Sequence, residues 1–195
     1  MRSQSNTEFV RYTGIAKTIR ERRSIKSHYK SDPIPTELII ELLNDAVWAP
    51  NHGFREPWRF IFVPTEQKQN LIDDLLTTFS EGEQDKMRDY LGQVSAFLIV
   101  IMLEDPRQKQ WEENFGAVSA LIQNFQLLAW ERDLGVVWKT NPHIYNPKVH
   151  QILGVQPGEK VVGFLHLGYF SPDHVPIARP RTPVEKKLTI FQKEK

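Results

Sequence analysis

Eight apolar residues in unbroken succession, Ala96-Phe97-Leu98-Ile99-Val100-Ile101-Met102-Leu103, constrain this chain more than any other stretch. A strand with one face in water alternates apolar and polar side chains. A run without alternation belongs to a strand covered on both faces. It is far too short to span a bilayer, which takes about 20 residues as a helix. Glu104-Asp105-Pro106 ends it.

Helical and strand patterns alternate around this run. Thr13 to Arg23 is weakly helical, with Ile15, Ala16 and Ile19 on one side. After Asp32-Pro33-Ile34-Pro35, a helix opens near Thr36, and Leu38, Ile39, Leu42, Leu43, Ala46 and Val47 keep the 3.6-residue spacing. Trp58–Val63 reads as a strand closed by Pro64, and Glu66–Phe79 as a polar helix. The charged stretch 80–92 shows no clear pattern and is the stretch most suited to a mobile segment or a lid. Trp111–Arg132 is the longest helix and is apolar nearly all round, which suits burial at a core or a subunit interface. Gly135 is expected to stop it in a left-handed cap. Val136–Thr140 and Lys160–Gly168 are strands, with a short helix over Pro147–Leu153 between them.

Length bounds the rest. With 195 residues, 40% of them hydrophobic, the chain suits one domain, preceded by a polar lead-in over 1–12 and followed by an extended proline-rich tail over 170–195. The 25 Lys+Arg against 24 Asp+Glu give no global field for nucleic acid or acidic membranes. No cysteine is present, so disulfides, thiolate catalysis and thiolate metal sites are excluded. The first fifteen residues lack an apolar segment of the signal-peptide kind, and a cytoplasmic protein is the expectation.

The chemistry is narrowed first by what is missing. The ten glycines form neither GxGxxG nor GxxxxGK[ST], and neither GxSxG nor HExxH occurs. No metal site or nucleophilic catalytic residue is expected. His166 lies mid-strand and reads as a satisfied core histidine, and Asp73-Asp74 and Glu112-Glu113 read as solvated pairs. What remains is cationic and aromatic. Six basic residues lie between Lys17 and Lys30, either a solvated helix end or an anion site where Arg22, Arg23 and the Ser24 hydroxyl converge on a phosphate. Trp48-Ala49-Pro50-Asn51-His52-Gly53-Phe54-Arg55-Glu56-Pro57-Trp58-Arg59 is either a helix-to-strand connector with core-covering rings or a constrained platform for a flat ligand. Trp138-Lys139-Thr140 and the Arg179/Arg181 tail complete a set suited to a large, flat, phosphate-bearing cofactor.

The order Arg-Arg-Ser-Ile-x-x-x-Tyr, a proline-led helix, Ala-Pro-Asn-His, then Pro-Trp-Arg-Phe resembles the nitroreductase family of FMN enzymes, in particular its small bacterial NAD(P)H nitroreductase-like members. Val-Val-Gly-Phe-Leu-His-Leu-Gly-Tyr followed by Arg-Pro-x-x-Pro is similar to that family's closing strand and tail. The resemblance covers roughly 16–63 and 113–185. It departs from the family pattern at Phe54 and Glu56, where Asn and Gln are frequent.

That resemblance implies an α+β fold, a central and mostly antiparallel sheet wrapped by helices, in an intertwined homodimer with shared active sites. It implies FMN as cofactor, with Arg22, Arg23 and Ser24 on the phosphate and ribityl chain and Arg179 or Arg181 completing the phosphate site. Lys26 would lie toward the flavin's polar edge, Asn51 and His52 would reach the FMN of the other subunit, and Trp138, Lys139 and Thr140 would line the isoalloxazine. The implied function is an oxidoreductase that passes hydride from NAD(P)H through flavin N5 to nitro compounds, quinones or similar conjugated acceptors. Other flavin chemistry on the same scaffold (dehalogenation, dehydrogenation, flavin fragmentation) and non-catalytic flavin binding remain the alternatives.

Overall fold

The computed structural model describes residues 13–192. The expected lead-in over 1–12 and the last three tail residues lie outside the described residues.

Strands β1 (Trp58–Val63), β2 (Ala96–Leu103), β3 (Leu134–Lys139) and β4 (Glu159–Tyr169) form one sheet in the order β1-β2-β4-β3. Every pairing is antiparallel. The apolar run is β2, interior to the sheet and buried from Ala96 to Met102. Its side chains alternate between two cores. Leu98 and Val100 pack with Leu42 of α2 (Thr36–Ala46) and with Val118 and Phe125 of α5 (Gln108–Trp130). Phe97 and Ile99 pack with Ile72 of α3 (Lys68–Leu76), Leu91 of α4 (Glu81–Gly92) and Val149 of α6 (Pro147–Ile152). Helices on both faces of an antiparallel sheet make this the α+β architecture expected.

Two local readings differ from expectation. The charged stretch 80–92 is the regular helix α4, opened by a capping box between Ser80 and Glu83. Only Leu91 of α4 is buried, so the helical period barely shows in its hydrophobicity. At the end of α5 the left-handed residue is Asp133 (φ 53°), not Gly135, which lies inside β3. Asp tolerates that conformation better than most residues, and Gly135 is required for a different reason.

That reason is the segment following α1 (Gly14–Glu21). Ser24 makes a parallel bridge to Val136, outboard of β3. Gly135 and Gly168 face each other across β3 and β4. A Cβ on Gly135 would lie 2.7 Å from Ile25 Cβ, and one on Gly168 would lie 2.5 Å from the ring of Tyr29. The two bare glycines thus form a seat for Ile25 and Tyr29. The Tyr29 hydroxyl donates to the Ile25 carbonyl at 2.5 Å, and the Lys30 N–H donates to the Tyr169 carbonyl at 2.8 Å. The motif Arg-Arg-Ser-Ile-x-x-x-Tyr is therefore a device that moors a basic segment to the β3 edge.

Beyond Phe170 the chain is extended apart from single turns at Pro172–His174 and Val184–Lys186. It is exposed throughout from Pro176 to Gln192, including Ile177, Ile190 and Phe191. Among the described residues no helix is long and apolar enough to cross a membrane.

Candidate functional site

The β3 edge gathers positive charge. Arg22 is half-buried, its Nε is enclosed without a hydrogen-bond partner, and its Nη1 reaches Gln126 Oε1 of α5 at 3.4 Å. Burial first, then the neighbouring charges of Arg23 and Arg181, pull its pKa below the ordinary value for arginine. The last cause brings residues 159 positions apart in sequence into one electrostatic neighbourhood. Arg23 donates to the carbonyls of Arg20 (2.7 Å) and Arg22 (2.8 Å), closing the end of α1. Arg181 is exposed and donates to the Arg179 carbonyl at 2.9 Å. Among the described residues none of Arg22, Arg23 or Arg181 is in an ion pair with a carboxylate. Three like charges crowded around an enclosed, unpartnered N–H fit a multiply charged oxyanion such as a phosphate monoester. Lys26 follows as an exposed side chain.

At the far end of β3 the alternation of a strand divides the expected trio. Trp138 lies on the α2/α5 side, its indole N–H donating to the Val162 carbonyl at 3.1 Å across the bare Gly163. Lys139 lies on the α4 side, its Nζ 5.4 Å from the centroid of the Tyr90 ring. Thr140 is exposed. Beneath Lys139 is His166, 2% exposed, with Nε2 unpartnered. Burial first, then Lys139 and His143, push its pKa down to about 3. The histidine read as satisfied is buried but not satisfied at Nε2. His143, also buried with an unpartnered Nε2, is held below its ordinary pKa by burial.

The 48–59 loop is tied down by its own polar groups. Asn51 Oδ1 accepts from the Glu56 N–H at 3.0 Å, and Asn51 Nδ2 reaches the Ala49 carbonyl at 3.4 Å. Arg55 donates to the His52 carbonyl (3.1 Å), to Asn114 Oδ1 (3.2 Å) and to the Glu113 carboxylate. Gly53, Phe54 and Glu56 all have positive φ (65°, 51° and 44°). The rings divide: Trp58 packs against the core, whereas Trp48 is 86% and Phe54 91% exposed. His52 and Glu56 are exposed too.

This loop precedes β1, one edge of the sheet, whereas the arginines flank β3, the other edge. Three strand spacings separate the edges, about 14 Å. Arg55 anchors to α5 at Glu113 and Asn114, Arg22 to α5 at Gln126, about 18 Å along a helix axis. The structure therefore brings together Arg22, Arg23, Ser24 and Arg181, and leaves Asn51 and His52 on the opposite edge. A separate cleft of about 670 Å³ lies between α1 and α5, but Glu21, Asp45, Glu131 and Asp133 in its lining carry the wrong sign for a phosphate.

Sequence reasoning missed Gln126, and it named Tyr29, Gly163 and Gly168 only as motif letters and Gly135 only as a helix stop, because the cross-strand register that gives them their roles is invisible along the chain. Glu113, read as half of a solvated pair, is instead held by the Arg55 guanidinium with its side chain largely covered, and Asn114 beside it was not singled out.

The model of a family described as the nitroreductase family matches residues 19–169. The chain is 40% identical over 179 residues to Putative NAD(P)H nitroreductase YfhC of Bacillus subtilis (strain 168), covering 88% of this chain and 91% of that protein. A solved structure of a nitroreductase-like family protein from Bacillus cereus superposes with a TM-score of 0.86 at 42% identity, covering 95% of this chain and all of that one. The FMN-dependent nitroreductase NfnB from Mycobacterium smegmatis, solved in complex with NADPH, has the same fold (TM-score 0.72, 15% identity, 91% and 98% covered). Sequence match and fold agree along nearly the whole chain, and the seated Arg-Arg-Ser segment lies inside the matched region: this chain belongs to the nitroreductase family.

Proposed function

We propose that the chain is an FMN-dependent NAD(P)H oxidoreductase with two shared sites in a homodimer. One observation carries the cofactor reading: the enclosed, unpartnered Arg22 Nε beside Arg23 and Arg181. A phosphate monoester there relieves the mutual repulsion of the three guanidiniums. Arg181, whose charge is felt at Arg22, is assigned to the phosphate in preference to Arg179. Ser24, fixed by its bridge to Val136, offers its hydroxyl beside them. The relatives support the choice of group, since the Mycobacterium smegmatis protein is FMN-dependent and was solved in complex with NADPH.

FMN, when bound, supplies the hydride chemistry by which NAD(P)H reduces nitro compounds, quinones or related conjugated acceptors. The protein's own groups bind and tune. The Lys139 and Lys26 ammoniums bring positive charge to the ring end, where negative charge on the reduced ring is favoured. His166 and His143 stay neutral near pH 7, so the charge at that end comes from the lysines. No side chain is needed as a covalent nucleophile.

The sharing rests on geometry. Asn51 and His52 stand a sheet's width from their own arginines, on a loop pinned to α5 and exposed outward. They complete the site of a second copy, and the tail beyond Arg181, with Leu188, Ile190 and Phe191 exposed, lies over that copy. Mixing Arg22→Ala with His52→Ala subunits, each first shown to be inactive, tests this. Rescue to about one intact site per heterodimer is expected by symmetry. No rescue in verified heterodimers refutes the shared site.

A further inference from the structure

Among the described residues Phe54 is the most exposed large hydrophobic side chain outside the tail, and its backbone is in the left-handed region that bulky residues avoid. Nothing among the described residues explains either feature. The ring buries almost no surface, and a glycine would hold the same turn without strain. Meanwhile the backbone carrying it is locked from both sides. Asn51 holds the Glu56 N–H, and the Arg55 guanidinium holds the His52 carbonyl, Asn114 and Glu113. A rigid mount, a strained residue and an unused aromatic face together indicate a ring kept for a ligand.

We infer that Phe54 is a specificity-determining residue: its ring forms one wall of the acceptor slot in the second copy's site and selects planar aromatic acceptors by stacking. The inference rests on the shared-site reading above and adds the acceptor class to it. The ring projects from the β1 edge, a sheet's width from the arginines of its own chain, so the slot it can wall belongs to the partner. The same loop brings His52, whose imidazole adds a second flat face beside it. An aromatic wall favours fused or substituted rings over acceptors without a π-face, because offset stacking rewards overlap.

The test compares wild type with Phe54→Leu, Phe54→Tyr and Phe54→Gly, all loaded with FMN. Two readouts are the kcat/KM ratio for 1,4-naphthoquinone over ferricyanide, which has no ring to stack, and the dissociation constant of non-reducible 2-naphthoate from perturbation of the bound flavin's absorbance. Phe54→Leu should lower the ratio and weaken naphthoate by about three- to tenfold, the fold-change an aromatic pair accounts for. Phe54→Tyr should stay within about twofold of wild type. Phe54→Gly should lose naphthoate affinity while its melting temperature holds or rises, because glycine relieves the positive φ. A merely structural ring would show the opposite, a lower melting temperature with naphthoate binding intact. Equal naphthoate affinity and acceptor ratio in wild type and Phe54→Leu overturn the inference while leaving the FMN enzyme standing. A wild type that binds no FMN overturns both.

Discussion

Ile25 rests on the bare backbone of Gly135, where an added Cβ would come within 2.7 Å of the Ile25 Cβ. Ile25 is 1% exposed and immediately follows the Arg-Arg-Ser triplet, so this contact sets where the triplet lies along β3. Gly135→Ala is therefore expected to act at a distance on the anion site. Overpacking of this kind typically costs about 1–3 kcal/mol. Chemical denaturation should show that loss, and FMN titration should show weakened binding although residue 135 touches no phosphate. Full FMN affinity in a destabilised Gly135→Ala protein would separate the seat from the site.

Arg181→Ala should weaken FMN binding more than Arg179→Ala, because Arg181 shares the field of Arg22. A charged hydrogen bond contributes roughly 1.5–3 kcal/mol, so Arg181→Ala and Arg22→Ala should each lose about ten- to hundredfold in affinity. Isothermal titration of FMN into the apoprotein measures this directly. Equal losses for both tail arginines would contradict the assignment.

The buried imidazole of His166 predicts an acid-sensitive stability. Its folded pKa, about 3, lies below the unfolded value near 6.5, so the unfolded state takes up the proton first as pH falls. The stability is complete above about pH 6.5 and drains away on acidification toward pH 3, by at most about 1.4 kcal/mol per pH unit for one group. His143, held below its ordinary pKa by burial, adds in the same direction. Urea denaturation between pH 7 and pH 5 should show a shallower slope for His166→Phe than for wild type. Parallel slopes would mean that His166 takes up its proton as readily in the fold as in the unfolded chain.

Arg55 and Glu113 should behave as one unit. Their side chains are about one-quarter exposed, and the contact fastens the 48–59 loop to α5. A double-mutant cycle with Arg55→Leu and Glu113→Gln should give an interaction energy of at least about 0.5 kcal/mol. Both single mutants should also raise the KM for the acceptor, since the loop positions Phe54 and His52. Strict additivity would show that the pair is incidental.

Much of the architecture is legible in the sequence because its signals are local. β2 is written as an unbroken apolar run, α2 as a 3.6-residue stripe, and the loop as Pro50, Gly53 and Pro57 among aromatic rings, whose exposure the sequence leaves open. α4 is harder, since one buried leucine carries no periodicity, although Ser80 and Glu83 announce its start. The left-handed residue after α5 was misplaced by two positions because Gly135 answers to Ile25, a contact from another segment, rather than to the helix end. At the site, residue types were readable but juxtapositions were not. Arg181 joins Arg22 only through the tail's path, and β3 alternation, rather than adjacency in sequence, sends Trp138 and Lys139 to opposite faces.

The central claim is that the crowded arginines hold the phosphate of FMN, and the most direct measurement is the chromophore of the purified protein. Heat-released supernatant should show an oxidised flavin spectrum, co-migrate with FMN rather than FAD, and approach one flavin per chain after reconstitution. A colourless protein that takes up no added FMN would contradict the account at its base.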